Sequence, residues 1–491
     1  MLTTTIFLPL LTGLVVLTLP HNRPDLVRGT ALVGAVLTLI AAIILWVGFD
    51  PSGGNLQWRM TAPWIPAIGA SYDIAIGGIS LALILLTAVL LTVVMVYVFG
   101  ERDRAHAHAF LFLLLGTGLI GLFAAQDLLL FYLFFEVGLV PMYFIVGIWG
   151  GERRRYAALK FFLYTRAGSL AMLLGFLALY LAMEPHTFSL PAIITAKPLA
   201  HAPLASALVF FALLIGFGVK LPIVPLHNWL PDAHVEAPTE GSVVLAGLQL
   251  KMGGYGLVAI LLPAMPETVA RFGWLLVIIA LLSLLYGALA ALAQNDMKRL
   301  VAYTSINHMA YVALGVAVAA MTGSVAARQL ALNGAAVQMV SHGVLTGGMF
   351  LMVGMLQHRA GTREIDRFGG LIGSMPAFRG LFGLLAFGSL GLPGLSGFIA
   401  EFQVIGAALQ LSLWVAAVTV LGLILATGVY LLLMARTLMG TPPPGADALT
   451  ALSSREAWSA GTLAALSVLI GILPAVLIAA VDSATRILAQ F

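Results

Sequence analysis

GFGVKLPIVPLHNWLPDAHVEAPTEGSVVLAGLQLKMGGY, residues 216–255, decides how the chain is read. Lys220 and Lys251 each sit in a run that otherwise has the composition of a membrane span. Between them lie Pro222, Pro225, Pro231 and Pro238, with His227 and His234. A lysine at the bilayer centre costs about 2.5–3.5 kcal/mol on insertion scales. A proline inside a span removes a backbone donor and clashes with the preceding turn. A break and a buried charge in one place mark a midplane transport site.

Composition fixes the class. The chain is 61% hydrophobic and 9% charged, with a mean hydropathy of +1.05. A soluble domain is about 45–50% apolar and about 25% charged. The chain is therefore an all-α polytopic membrane protein, with lipid as its surroundings. A net charge of +4 gives no ground for a nucleic-acid partner. With no cysteine there is no disulfide, no thiol chemistry and no cysteine-held iron–sulfur cluster. Residues 2–20 are expected to be a first membrane helix rather than a cleaved signal, because no Lys or Arg precedes them and an A-x-A-like site is missing.

Apolar runs of about 17–25 residues predict about fourteen transmembrane helices. The seventh (203–226) and twelfth (379–407) are broken, and the last runs over 458–482. Long loops are expected at 50–72 and 184–202 on one side, and at 439–457, with Pro442, Pro443 and Pro444, on the other. Alternating the loops puts 16 of the 24 Lys and Arg on one side and 5 on the other, with Arg166, Lys220 and Lys251 inside spans. That bias places both termini on the non-cytoplasmic side.

GVKLPIVPLHNW in span seven is answered by LGLPGLSGFIAEF, residues 390–402, in span twelve. The two breaks are five spans apart, an odd number, so two inverted five-helix repeats are predicted. The divisions are then 1–108 for helices 1–3, 109–262 for the first repeat, 272–438 for the second and 458–491 for the last helix.

Glu136 is the only charge between Asp127 and Glu152, in the middle of span five. It is either a structural carboxyl that ties helices together or the natural partner of a lysine. A buried lysine loses affinity for its proton, and a nearby carboxylate restores it, so moving one carboxylate can toggle it. Driving a charge across about 150 mV costs roughly 3.5 kcal/mol, or about 2.5 pKa units, within the reach of such a switch. Glu401, beyond the second break, is either the end of the same polar path or a helix–helix contact. His227, His234, His308 and His342 can relay protons near neutral pH, with His308 foremost; metal binding at His227 and His234 is not expected, since no acidic cluster lies beside them. GTGLIG, residues 116–121, follows no strand and sits in a span, so its glycines serve helix packing rather than a dinucleotide.

Several motifs occur together: FFEVGLVPMYFIVGIWGGERRRYAALKFFLYT, the 216–255 stretch, QNDMKRLVAYTSINHMAYV and GLPGLSGFIAEF. Over roughly residues 70–440 the chain resembles the antiporter-like membrane subunits of respiratory complex I, the proton-translocating NADH:quinone oxidoreductase, and most closely their M branch. The resemblance implies fourteen helices and a mid-membrane row of charges. In it Glu136 modulates the first lysine, Lys220 stands on the first broken helix, Lys251 is the central connecting lysine, and Glu401 stands on the second broken helix. Glutamate there follows the M pattern; the L and N subunits usually carry lysine. The resemblance also implies L and N as neighbours, and flavin, iron–sulfur clusters and quinone in partner subunits with no cofactor in this chain. The Ala- and Gly-rich composition and the missing transit segment point to a bacterial plasma membrane. Three rival readings remain at this point: a subunit of a multi-subunit sodium/proton antiporter, the equivalent subunit of a ferredoxin- or hydrogenase-linked complex, and a purely structural scaffold of the membrane arm.

Overall fold

A computed structural model describes residues 1–53, 56–100, 103–441 and 450–490. Pro442, Pro443 and Pro444 of the expected long loop lie outside the described residues, as do Arg102 and Phe491. The chain begins with α1 (Leu2–Thr18), α2 (Pro24–Val47), α3 (Gly78–Tyr97), α4 (Ala105–Ala124), α5 (Leu128–Trp149) and α6 (Arg154–Leu181). The first broken pair follows, α7 (Pro203–Lys220) and α8 (Trp229–Glu236). Next come α9 (Thr239–Ala264), α10 (Gly273–Leu292), α11 (Met297–Met321) and α12 (Val325–Ala360). The second broken pair is α13 (Pro376–Ser389) and α14 (Ser396–Leu411), before α15 (Leu413–Leu438), α16 (Ser454–Ile472) and α17 (Ala475–Leu488).

Eleven of these helices are long and apolar enough to cross a membrane, twelve if α16 and α17 are one bent span. The expected last span at 458–482 is bent rather than one continuous helix. Pro474 follows Leu473 in a break, and the two helices meet at 69°, since proline cannot continue the hydrogen-bond ladder.

The expected loop at 50–72 is also corrected. Gln57–Ile65 and Ala70–Ile76 form an antiparallel hairpin, the one two-stranded sheet among the described residues. Arg59 pairs with Asp73 at 2.7 Å. This charge-assisted bond holds the Arg59 guanidinium above its usual range. Asp127 ties the hairpin to α5. Its Oδ1 accepts from the N–H groups of Leu129 and Leu130 as an N-cap, and its Oδ2 accepts from the Ser71 N–H at 2.9 Å. Leu190 donates its N–H to the Gln126 carbonyl, so the 184–202 loop, with its short helix Leu190–Ala196, joins the hairpin at the same end.

The interior is built from α9, α11 and α12. The apolar windows of α11 and α9 are 94% buried and that of α12 is 100% buried, against 39% for α2 and α15. These three are less apolar than α2 and α15, because polar and ionisable side chains in a membrane protein face the bundle interior while the helices around it meet lipid. The glycines of residues 116–121 serve this packing: a Cβ on Gly121 would sit 2.4 Å from the Phe134 ring, and one on Gly118 2.9 Å from the Gly138 nitrogen.

Candidate functional site

Each break delivers one charge to the interior. Helix α7 stops at Lys220, which is 1% exposed. The second break contains Gly391 at φ +82° and Gly394 at φ +92°, backbone angles open to glycine. Gly391 is needed for a second reason. A Cβ there would come within 2.8 Å of Glu401 Oε2, so only glycine lets this carboxylate lie against the break.

Helix α9 departs from α-helical bonding twice, with π-helical turns at Leu245–Gln249 and Leu257–Leu261. Such turns recur at functional sites because they re-aim side chains. Gln249 and Lys251 flank the end of the first. Lys220 Nζ donates to Gln249 Oε1 at 3.2 Å, and Gln249 Nε2 donates to the Gly138 carbonyl of α5 at 2.6 Å. The rings of Phe161, Phe135 and Trp229 surround the ammonium at 5.0, 5.8 and 5.9 Å, and such rings favour the charged form.

Glu136 is held differently from the expectation. Its Oε2 pairs with Arg166 Nη1 at 2.5 Å, and Arg166 also donates to the Tyr132 hydroxyl at 3.1 Å. Among the described residues Lys220 makes no direct ion pair, and its side-chain hydrogen bond goes to Gln249 rather than to Glu136.

Lys251 is fully buried. Its Nζ donates to the Ala246 carbonyl at 2.5 Å and to His342 Nδ1 at 2.7 Å. An ammonium can only donate, so Nδ1 of His342 accepts. The imidazoles of His342 and His308 stand 6.0 Å apart, and His308 Nδ1 meets Glu401 Oε1 at 3.1 Å. A cavity of about 10 Å³ lies among His308, His342, Ser389 and Glu401, a volume that holds about one water. The Gln338 amide donates to the His308 carbonyl at 3.1 Å.

Of the residues selected from the sequence, the structure thus brings Lys251, His308 and Glu401 into one buried row, with Lys220 tied to Gln249 of the same helix as Lys251 and Glu136 paired with Arg166. His234 is fully buried and stacks on Phe350 at 4.5 Å. His227 is not in the row: it is half-buried against Tyr286 at 4.9 Å, and the break turns it away. Arg166, Gln249 and His342 are the members whose places in this geometry sequence reasoning did not find. Arg166 and Gln249 were visible as polar residues inside apolar runs, but their meaning rests on which helices face them.

The transmembrane model of the NADH:quinone oxidoreductase/Mrp antiporter family matches residues 125–427. NADH-quinone oxidoreductase subunit M of Rhodobacter capsulatus is 38% identical over 460 residues, which cover 91% of this chain and 87% of that one. Chain 4 2 of the NAD(P)H-quinone oxidoreductase of Thermosynechococcus vestitus is 40% identical over 405 residues, 82% and 74% of the two chains. A chain of respiratory complex I from Thermus thermophilus superposes with a TM-score of 0.88 at 32% identity, each chain covered completely. A chain of the Mrp complex of Dietzia superposes with a TM-score of 0.86 at 21% identity, 100% and 97% covered, a likeness of fold. The motifs, the broken helices and these similarities converge, and the chain belongs to the NADH:quinone oxidoreductase/Mrp antiporter transmembrane family.

Proposed function

We propose that the chain is a proton-translocating membrane subunit of NADH:quinone oxidoreductase, of the M type. Protons move along Lys251, His342, His308 and Glu401, and the charge on Lys220 governs when they do. One observation carries this reading: lysine, two imidazoles and a carboxylate form a single buried sequence with contacts of 2.7 and 3.1 Å and one 6.0 Å step. Each member binds and releases a proton, which is what a relay requires.

In this reading a neighbouring subunit moves Arg166 on or off Glu136. Lys220 then gains or loses the field of a free carboxylate, and Lys251 responds through the shared helix α9. Release is on the non-cytoplasmic side, beyond Glu401. The 38–40% identity to NADH- and NAD(P)H-quinone oxidoreductase subunits favours this over the sodium/proton antiporter, whose likeness is one of fold.

Several finer points belong to the same proposal. Adding α1 and the α13–α14 pair to the twelve spans gives fourteen, arranged as inverted repeats over 109–262 and 272–438 between 1–108 and 458–491. Both termini lie outside the cytoplasm of a bacterial plasma membrane, and the neighbours are the L and N subunits. Flavin, iron–sulfur clusters and quinone belong to partner subunits.

The test is Lys220→Ala in inverted membrane vesicles driven by NADH, with proton uptake and electron flow recorded together. The expected result is loss of both with the complex still assembled. Normal NADH-driven uptake would overturn the reading.

A further inference from the structure

The row has no evident inlet at Lys251, which is buried on every side. A cavity of about 520 Å³ opens at the arginine-rich end, bordered by the starts of α2, α9 and α11 and the end of α12. Its wall carries a buried polar chain. Arg28 Nη1 approaches His108 Nδ1 at 3.4 Å, and His108 Nε2 meets Glu240 Oε1 at 2.9 Å. Arg28 and His108 are each 2% exposed, Lys298 3% and Glu240 8%.

The tautomer follows from donor chemistry. A guanidinium only donates, so Nδ1 of His108 accepts and Nε2 carries the hydrogen towards Glu240. Phe112 and Trp149, with ring centroids at 4.8 and 4.9 Å, hold the imidazole in place. Glu240 stands in the first turn of α9, the helix that also carries Lys251.

A second connection leads inward. Lys298 Nζ donates to the Ala237 carbonyl at 2.7 Å, at the end of α8. One turn earlier on α8 is His234. Both its ring nitrogens are without a hydrogen-bond partner among the described residues, its ring stacks on Phe350 of α12 at 4.5 Å, and its carbonyl accepts from the Ser242 hydroxyl of α9 at 3.1 Å. Lys298 in turn faces Glu240, Glu236, Asp296 and Arg363.

We propose that this cavity is the proton-uptake vestibule of the subunit, with Glu240 and His108 as the pair that loads the proton and His234 as the group that hands it to Lys251. A proton from vestibule water binds the Glu240–His108 pair. It leaves for His234, which takes it on a ring nitrogen and releases it from the other. The positive charge of Lys298 beside this step opposes entry until Lys251 is ready to accept. The inference rests on the row proposed above.

The test uses the whole complex in inverted vesicles, with NADH as donor, a water-soluble quinone as acceptor, terminal oxidases blocked and membrane potential read by an oxonol dye. Glu240→Gln keeps the shape and a hydrogen bond to His108 but cannot load a proton. It is expected to slow potential generation about 5- to 10-fold, with Glu240→Asp within about 2-fold of the parent. Millimolar azide, a weak acid small enough for the vestibule, is expected to restore the Glu240→Gln rate. A merely structural role predicts no such rescue. A parent-like rate in Glu240→Gln, or a loss in assembled complex that azide leaves untouched, overturns the vestibule. Lys251→Ala is measured alongside. If it stops while Glu240→Gln runs normally, the vestibule falls and the row stands. If it too runs normally, both fall.

Discussion

Glu136 and Glu401 are both carboxylates on membrane helices, yet their partners differ in kind. Glu136 meets Arg166, whose side chain is 40% exposed on the outside of the bundle, and is itself 17% exposed. Glu401 meets His308, with exposures of 2% and 5%. A guanidinium keeps its charge at any physiological pH, so the first pair changes only when something moves. An imidazole can take a proton on one ring nitrogen and give one up from the other, so the second pair can change by passing a proton on. In the proposed reading one end of the molecule acts as a switch addressed from outside, the other as a relay sealed within.

That contrast can be broken by mutation. The largest effect at the switch end is expected from Glu136→Gln, which removes the charge that Arg166 and Lys220 share. NADH-driven proton uptake in vesicles should fall about tenfold, with the complex intact on native gels. Retained pumping would mean that the Arg166 pair only holds α5 to α6. Arg166→Ala should act less, about threefold, because Glu136 survives and finds Lys220 instead; Arg166→Lys should recover part of the loss. If Arg166→Ala and Glu136→Gln had equal effects, the switch would be the ion pair itself rather than the carboxylate it frees. Gln249→Leu sharpens the link between the halves. It removes the acceptor of Lys220 and the side-chain donor to the Gly138 carbonyl, and a loss of about two- to threefold in pumping is expected, with little change in assembly. The smallest effect, within about twofold, is expected for His227→Ala, which lies off the row. A tenfold loss there would extend the path to the first break.

The sequence displayed the charges better than the contacts. Lys220 and Lys251 stand out because a lysine in an apolar run has few bland explanations. Glu401 stood out because it follows the Gly- and Pro-rich break LGLPGLSG, residues 390–397, in an otherwise apolar run. His342 carried no such mark. It sits in α12, a helix of 36 residues, and only packing reveals that its Nδ1 faces Lys251. Arg166 was legible as a charge in a span but not as the partner of Glu136, because α5 and α6 must be set side by side before it can be seen. The hairpin at 57–76 escaped for another reason. Its strands are held by Arg59–Asp73 and Ser71–Asp127, contacts that no periodicity announces.

The central claim is that protons travel through the row beyond Lys251, and His342 is the one member that touches Lys251 directly and faces His308. The most direct measurement is therefore the number of protons taken up per NADH oxidised in inverted vesicles carrying His342→Leu. With the relay cut at its first step, the ratio should fall well below that of the parent while assembled complex is retained. A ratio equal to the parent's would contradict the account and leave the buried row a structural feature.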